Sequence, residues 1–168
     1  MGKIFDDLLY WYRATCHRVY DGDTFTQATT HLGLRHVHEK DRFRLWGIQA
    51  NEMRGRDRTP EYKERAEKAK ARLRELTRKD VLFRTFKASK NNEVDKYGKY
   101  GRWLCTVYIP YEELMIIGTP LKEELETYSD AIPITVEGMP LIKEVGIHKL
   151  VNVNLLLVAE GLADIKYY

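Results

Sequence analysis

Long apolar runs are missing from this 168-residue chain. The start, MGKIFDDLLYWYR, is broken by Asp6 and Asp7 and suits neither a signal peptide nor a membrane span, so no membrane partner and a cytoplasmic location are expected. Cysteine is scarce. Cys16 and Cys105 lie far apart in apolar, strand-like surroundings, which excludes a zinc signature. They read as buried thiols, with a strand-to-strand disulfide as the alternative. Proline is sparse outside one region: four of the five, Pro110, Pro120, Pro133 and Pro140, fall within residues 110–150. There is no internal repeat and no low-complexity tract.

What is present suffices for one core. With 43% hydrophobic and 32% charged residues, the composition is that of a single soluble domain. The formal net charge of +3 is small but unevenly placed. Residues 1–109 carry 24 Lys and Arg against 15 Asp and Glu, residues 110–150 carry 3 against 8, and residues 151–168 carry 1 against 2. The front of the chain is therefore a candidate surface for a polyanion.

Residues 11–26, WYRATCHRVYDGDTFT, read as a strand, a turn at Asp21-Gly22-Asp23 and the start of a second strand, because an Asp-Gly pair between apolar runs favours a hairpin and glycine takes positive φ at little cost. Two further β runs fill residues 25–48, joined by a polar connection from His31 to Asp41. His36 and His38 would share one side of a strand there, but no third ligand is nearby, and solvated histidines are expected rather than a metal site. Thr59-Pro60-Glu61 opens the clearest helix. Thr59 can cap it, Pro60 suits its first position, and Tyr62, Ala66, Ala69, Leu73 and Leu76 form one apolar stripe, with Arg72, Arg74, Arg78 and Lys79 crowding the far end. Strands are expected at Val81–Phe86 and Trp103–Ile109, flanking a basic segment with KYGKYG and then Arg102. Residues 110–150 read as an inserted excursion with a short helix and hairpin of its own. Its acid would either cover part of the basic face or meet a second subunit. Asn152 or Asn154 can cap a last short helix that Gly161 ends in the left-handed conformation, and Leu162–Tyr168 trails off.

The chemistry concentrates at FRLWGIQANE, residues 43–52. A strand carrying Arg44 runs into a loop before Glu52. A guanidinium grips two phosphate oxygens in a fixed fork, and a carboxylate accepts a proton from an attacking water. Taken alone, an arginine and a glutamate bracketing a core strand are more often merely solvated.

The order of these pieces resembles the staphylococcal nuclease (thermonuclease) family. The matching parts are VYDGDTF (19–25), FRLWGIQANE (43–52), the helix from Glu61, residues 99–104 and NVNLLLVAEGLA (152–163). They span most of the chain except the first ten residues and the insertion. The resemblance implies an α+β, mainly β protein: a five-stranded OB-fold barrel with helices packed outside and an inserted segment near 110–150. It implies a metal-dependent nuclease hydrolysing DNA or RNA at the 5′ P–O bond with little sequence preference. Arg44 and Arg102 would be the phosphate clamps and Glu52 the base. Asp23 would be a metal ligand, with Asp21 behind it, and the Ala50 carbonyl and Gln49 would complete the pocket. Lys99, Tyr100 and Tyr167 would meet the substrate. The ion expected is calcium.

One departure falls in the metal pocket. Where the family commonly has Asp-Thr-Pro-Glu or Asp-Ala-Pro-Glu, this chain has Gln49-Ala50-Asn51-Glu52. A neutral amide replaces a carboxylate, so weaker or altered metal dependence is expected, with magnesium or manganese as alternative ions. The competing reading is an OB-fold module that binds nucleic acid or protein without chemistry. A monomer and a homodimer through the acidic insertion both remain open.

Overall fold

Strand β1 (Trp11–Asp21) turns through Gly22 and Asp23 into β2 (Thr24–Gly33), which turns through Leu34 and Arg35 into β3 (His36–Leu45). The computed structural model describes residues 10–54, 59–85, 102–126, 135–136 and 139–166. The first turn falls where the sequence predicts it, but glycine is needed there for another reason. Gly22 is not among the positive-φ residues. A Cβ on it would lie 2.5 Å from the Ala69 Cβ and 2.7 Å from the Ala50 Cβ, so only a residue without a side chain lets the hairpin tip seat this closely.

The expected polar connection from His31 to Asp41 is instead mostly strand, with Thr30 opposite His38 and His31 opposite Val37. Its polar groups are partnered: Thr30 Oγ1 donates across the ribbon to Asp41 Oδ2 at 2.6 Å, His38 Nδ1 lies against the other oxygen of Asp41 on its own strand, and His31 Nε2 lies 3.2 Å from Thr15 Oγ1 on β1. A ribbon solvated at its tip needs no apolar alternation, which is why its sequence reads as loop.

After the short β4 (Ile48–Ala50), helix α1 (Pro60–Leu76) begins as expected. Thr59 Oγ1 accepts from the Tyr62 amide at 3.3 Å, and Ala66, Ala69, Leu73 and Leu76 are buried. Strands β5 (Val81–Thr85) and β6 (Trp103–Pro110) complete the order β3-β2-β1-β5-β6. Parallel pairing of β3 with β6, Phe43 opposite Trp103 and Leu45 opposite Cys105, closes a five-stranded mixed barrel. Phe25, Phe43 and Phe83 fill its middle, with ring centroids 4.4 Å (Phe43 to Phe83) and 5.7 Å (Phe25 to Phe83) apart. Cys16 and Cys105 are free. Burial pushes the Cys16 thiol up to about 12 and holds Cys105 well above its usual value.

The excursion contains helices α2 (Tyr111–Ile117) and α3 (Lys122–Glu126), a short pair β7 (Thr135–Val136) and β8 (Met139–Pro140), and the hairpin β9 (Ile142–Val145) to β10 (His148–Asn152). Strand β10 pairs with β6, so the excursion widens the barrel sheet to seven strands. Its acid does reach the basic helix end: Glu113 accepts from Arg78 at 3.1 Å and from Lys79 at 2.6 Å. Helix α4 (Val153–Ala159) is capped by Asn152, whose side chain accepts from the Leu155 amide at 3.2 Å, and Gly161 follows at φ 73°. The tail does not simply trail off. Residues Ala163–Ile165 form β11 against β4, with Asp164 opposite Gln49. Among the described residues, no helix is long and apolar enough to cross a membrane.

Candidate functional site

Asp23 is the hub of the site. Its carboxylate is 1% exposed and accepts hydrogen bonds from three separate residues. Arg44 Nη1 donates to Oδ1 at 3.0 Å, Thr24 Oγ1 donates to the same oxygen at 2.8 Å, and the Ala50 amide donates to Oδ2 at 2.9 Å. The hairpin tip, strand β3 and strand β4 are thereby tied at one end of the barrel. Barrel register explains why. Thr24 faces Arg44 across β2–β3, and Arg44 faces Leu104 across β3–β6, so Arg102 enters β6 beside the same rung. Arg102 Nη1 donates to Thr24 Oγ1 at 3.3 Å.

Asp21 lies behind Asp23 and is also buried, at 7% exposure. Burial first, and the neighbouring Asp23 carboxylate second, push its pKa from 3.8 up to about 7. Two carboxylates held together out of water present hard oxygen donors to a cation. Among the described residues, no group of three or more His, Cys, Asp or Glu side chains gathers to hold a metal.

Gln49 is at the site but its oxygen is turned toward protein cations. Its Oε1 accepts from Arg44 Nη2 at 2.7 Å and from Lys166 Nζ at 3.4 Å, and its Nε2 donates to the Ala50 carbonyl at 3.1 Å. Glu52 stands two residues beyond β4 and is exposed. Its amide donates to the Tyr62 hydroxyl at 3.0 Å, and Asn51 Nδ2 donates to the Tyr62 carbonyl at 3.1 Å, so α1 fixes the backbone that carries it. Its carboxylate makes no hydrogen bond or ion pair among the described residues. Lys99, Tyr100 and Tyr167 lie outside the described residues.

The structure thus brings Asp21, Asp23, Arg44, Gln49, Ala50 and Arg102 to one rim and sets Glu52 at its edge. Sequence reasoning missed the residues that connect them. Thr24 bridges Asp23 and Arg102, and Tyr62, read as part of an apolar stripe, holds the Glu52 segment with its polar tip. Asn154, read as an alternative cap, is a buried cross-link: its Nδ2 donates to the Trp46 carbonyl at 2.9 Å and the Cys105 carbonyl at 3.1 Å, while its Oδ1 accepts from the Val107 amide at 3.1 Å. It fastens the end of β3 to β6 next to both arginines. Neither family models nor curated proteins give a match to this chain.

Proposed function

We propose that this chain is a phosphodiesterase of the staphylococcal nuclease type, which hydrolyses DNA or RNA at the P–O5′ bond with little sequence preference. The observation that carries this reading is one hydrogen-bonded network: Arg44 on Asp23 at 3.0 Å, Thr24 on Asp23 at 2.8 Å and Arg102 on Thr24 at 3.3 Å. Two guanidiniums beside two buried carboxylates suit a phosphate bound together with a hard cation.

In this reading Arg44 and Arg102 bind the phosphate oxygens and offset the charge that gathers as phosphorus becomes five-coordinate. Glu52 takes a proton from water as the water oxygen bonds to phosphorus. The P–O5′ bond breaks, the leaving oxygen takes a proton from solvent, and a 3′-phosphate and a 5′-hydroxyl result. Carboxylate and carbonyl oxygens are the hard donors that a divalent ion takes. Asp23 and the Ala50 carbonyl, with Asp21 behind, would hold calcium, magnesium or manganese, and the ion would add positive charge beside the phosphate. With only two carboxylates, such a site depends on substrate phosphate and water to complete it. Gln49 would orient Arg44.

A second reading, a binding module without chemistry, is favoured by Gln49, whose oxygen already accepts from two cationic side chains. One assay separates the two. The chain is incubated with single-stranded DNA, duplex DNA and RNA under titrated calcium, magnesium and manganese, beside the Glu52→Ala, Arg102→Ala double variant. Metal-dependent cutting that the variant lacks supports the enzyme; tight binding with no cutting under any ion supports the module.

A further inference from the structure

We propose that Lys40 and Arg42, set on two adjacent bulges of the β2–β3 ribbon, form a track for the phosphodiester backbone of single-stranded nucleic acid, leading away from Arg44. The proposal rests on the phosphate-binding reading of the Arg44 site and extends it to the phosphates beyond.

The ribbon is regular at the site and irregular just past it. Phe25 faces Phe43, and the next paired rung is Ala28 with Asp41, so Thr26 and Gln27 together oppose the single residue Arg42. The rung after that is Thr30 with His38, so Thr29 opposes Glu39 and Lys40. Bulges of this kind bend a strand and re-aim the side chains they carry. Lys40 sits at φ 60°, a left-handed conformation that costs a side-chain-bearing residue about 1–2 kcal/mol. An open cleft of about 440 Å³ lies on the two bulges, lined by Thr26, Gln27, Lys40 and Arg42. Among the described residues no acidic side chain lines it.

Charge and spacing favour a single strand. Among the described residues neither Lys40 nor Arg42 has a hydrogen bond or ion pair, unlike Arg65 and Arg72 of α1 and Arg78 and Lys79 just past it. Arg42 and Arg44 are two residues apart on one strand, hence on one face and about 6.7 Å apart along it. That is the scale of neighbouring phosphates on an extended backbone. The cations form one line, matching the single line of phosphates on a single strand, where a duplex presents two. Thr26 and Gln27 add neutral donors at the cleft wall, suited to phosphate and sugar oxygens.

Binding of nuclease-resistant phosphorothioate thymidine oligonucleotides, two and eight nucleotides long, tests this across a salt series. Lys40→Asn keeps a residue that tolerates the left-handed backbone, and Arg42→Gln removes charge alone. In the double variant the octanucleotide should bind about 10- to 30-fold more weakly at 0.1 M salt, and its log–log salt slope should be shallower by about 1.4. The dinucleotide, which spans only the Arg44 site, should change less than twofold. Gln27→Lys should tighten the octanucleotide about fivefold. An unchanged octanucleotide, equal loss at both lengths, or tighter and equally sensitive binding of a duplex of the same length overturns the track. No binding of any oligonucleotide by the unaltered chain overturns the phosphate reading and the track together. Length-dependent binding of these oligonucleotides, with no cleavage of unmodified DNA or RNA under any ion, removes the enzyme reading and supports the track.

Discussion

On helix α1, Arg72 donates to both oxygens of Glu160 at 2.6 and 2.8 Å, to Glu75 at 2.8 Å and to the Gly118 carbonyl at 2.7 Å. On the same helix Arg65 grips Asp164 with two bonds at 2.8 and 2.9 Å, and just past its end Arg78 and Lys79 share Glu113. On the β2–β3 ribbon, by contrast, Lys40 and Arg42 line an open cleft with Thr26 and Gln27, and neither has an ion pair among the described residues. Both regions belong to the positive front of the sequence, yet Arg65, Arg72, Arg78 and Lys79 of the first are consumed by folding. They join α1 to the excursion, to the end of α4 and to β11. A charge count along the chain cannot see this, because the neutralising acids come from residues 113, 160 and 164, far away in sequence. On the proposed function, the candidate polyanion surface is narrower than the charge count suggests, because these four cations are already paired.

The largest effect should come from breaking the folding half of this comparison. Burial works to lower the Arg72 pKa, and Glu160 and Glu75 more than offset it, holding the guanidinium above the ordinary arginine value. The pair is nearly enclosed, with side chains 12% and 3% exposed. Arg72→Ala leaves Glu160 buried without its partner and should cost about 3–5 kcal/mol in urea denaturation. Replacing both partners by apolar residues, Arg72→Met with Glu160→Leu, should recover most of that loss. Oligonucleotide affinity per folded molecule should not move in either variant. A parallel loss of affinity would place Arg72 on the binding surface and erase the contrast.

Breaking the functional half should act on turnover. Arg44→Ala should lower cleavage by about 10²–10³-fold, the usual consequence of removing one donor to a developing oxyanion. It also strips Asp23 of its ion pair, so stability should fall as well. Arg44→Lys separates the two effects, because it keeps the charge and loses the fork. Cleavage should stay depressed while the denaturation midpoint recovers.

Much of the fold was legible because its signals are local. The Asp-Gly tip, the Thr59 cap with Pro60, the Ala66 to Leu76 stripe and the Gly161 stop each lie within a few residues of the structure they specify. What escaped depends on distant partners. Parallel closure of β3 on β6 joins residues about sixty positions apart, and β11 is a three-residue strand too short to show alternation. The same division runs through the site. Asp23, Arg44 and Arg102 come together as the motif order suggests. Thr24, Tyr62 and Asn154 act through bonds that no spacing rule reveals, and Gln49 turns its oxygen to Arg44 and Lys166, which no motif fixes.

The acidic floor of the site gives a pH test. In protein kept free of metal by a chelator, Asp21 is protonated in both folded and unfolded chains below about 3.8, and ionised in both above about 7. Between those values the folded chain holds the extra proton, so Asp21's contribution is fully present at the acid end and lost as pH rises through 7, on the order of 4 kcal/mol. Carboxylates held below their usual range by cations, such as Asp164 bound by Arg65, titrate the opposite way. The informative quantity is therefore the difference between the parent chain and Asp21→Asn. That difference should favour the variant increasingly from pH 4 to pH 7 and then level off. A difference independent of pH would mean that Asp21 is solvated.

The smallest effect is the most informative about placement. Gly22 allows the hairpin tip to touch α1 and β4, and Ala69 and Ala50 leave no room for a Cβ. Gly22→Ala should cost about 1–3 kcal/mol, as overpacking of a tight contact does. The strain has one direction of relief, outward, because Ala69 belongs to a capped helix and Ala50 is paired with Ala163. Moving the tip outward takes Asp21 and Asp23 with it and lengthens the bonds from Arg44 and Ala50 to Asp23. Cleavage should then fall more than the stability loss alone explains, measured on protein verified as folded, while octanucleotide binding on the ribbon persists. Ala69→Gly in the same chain makes room on the helix side and should restore cleavage in part. If that second change restores nothing, the tip is not held by this contact, and the alignment of the two aspartates with Arg44 must come from the barrel register alone.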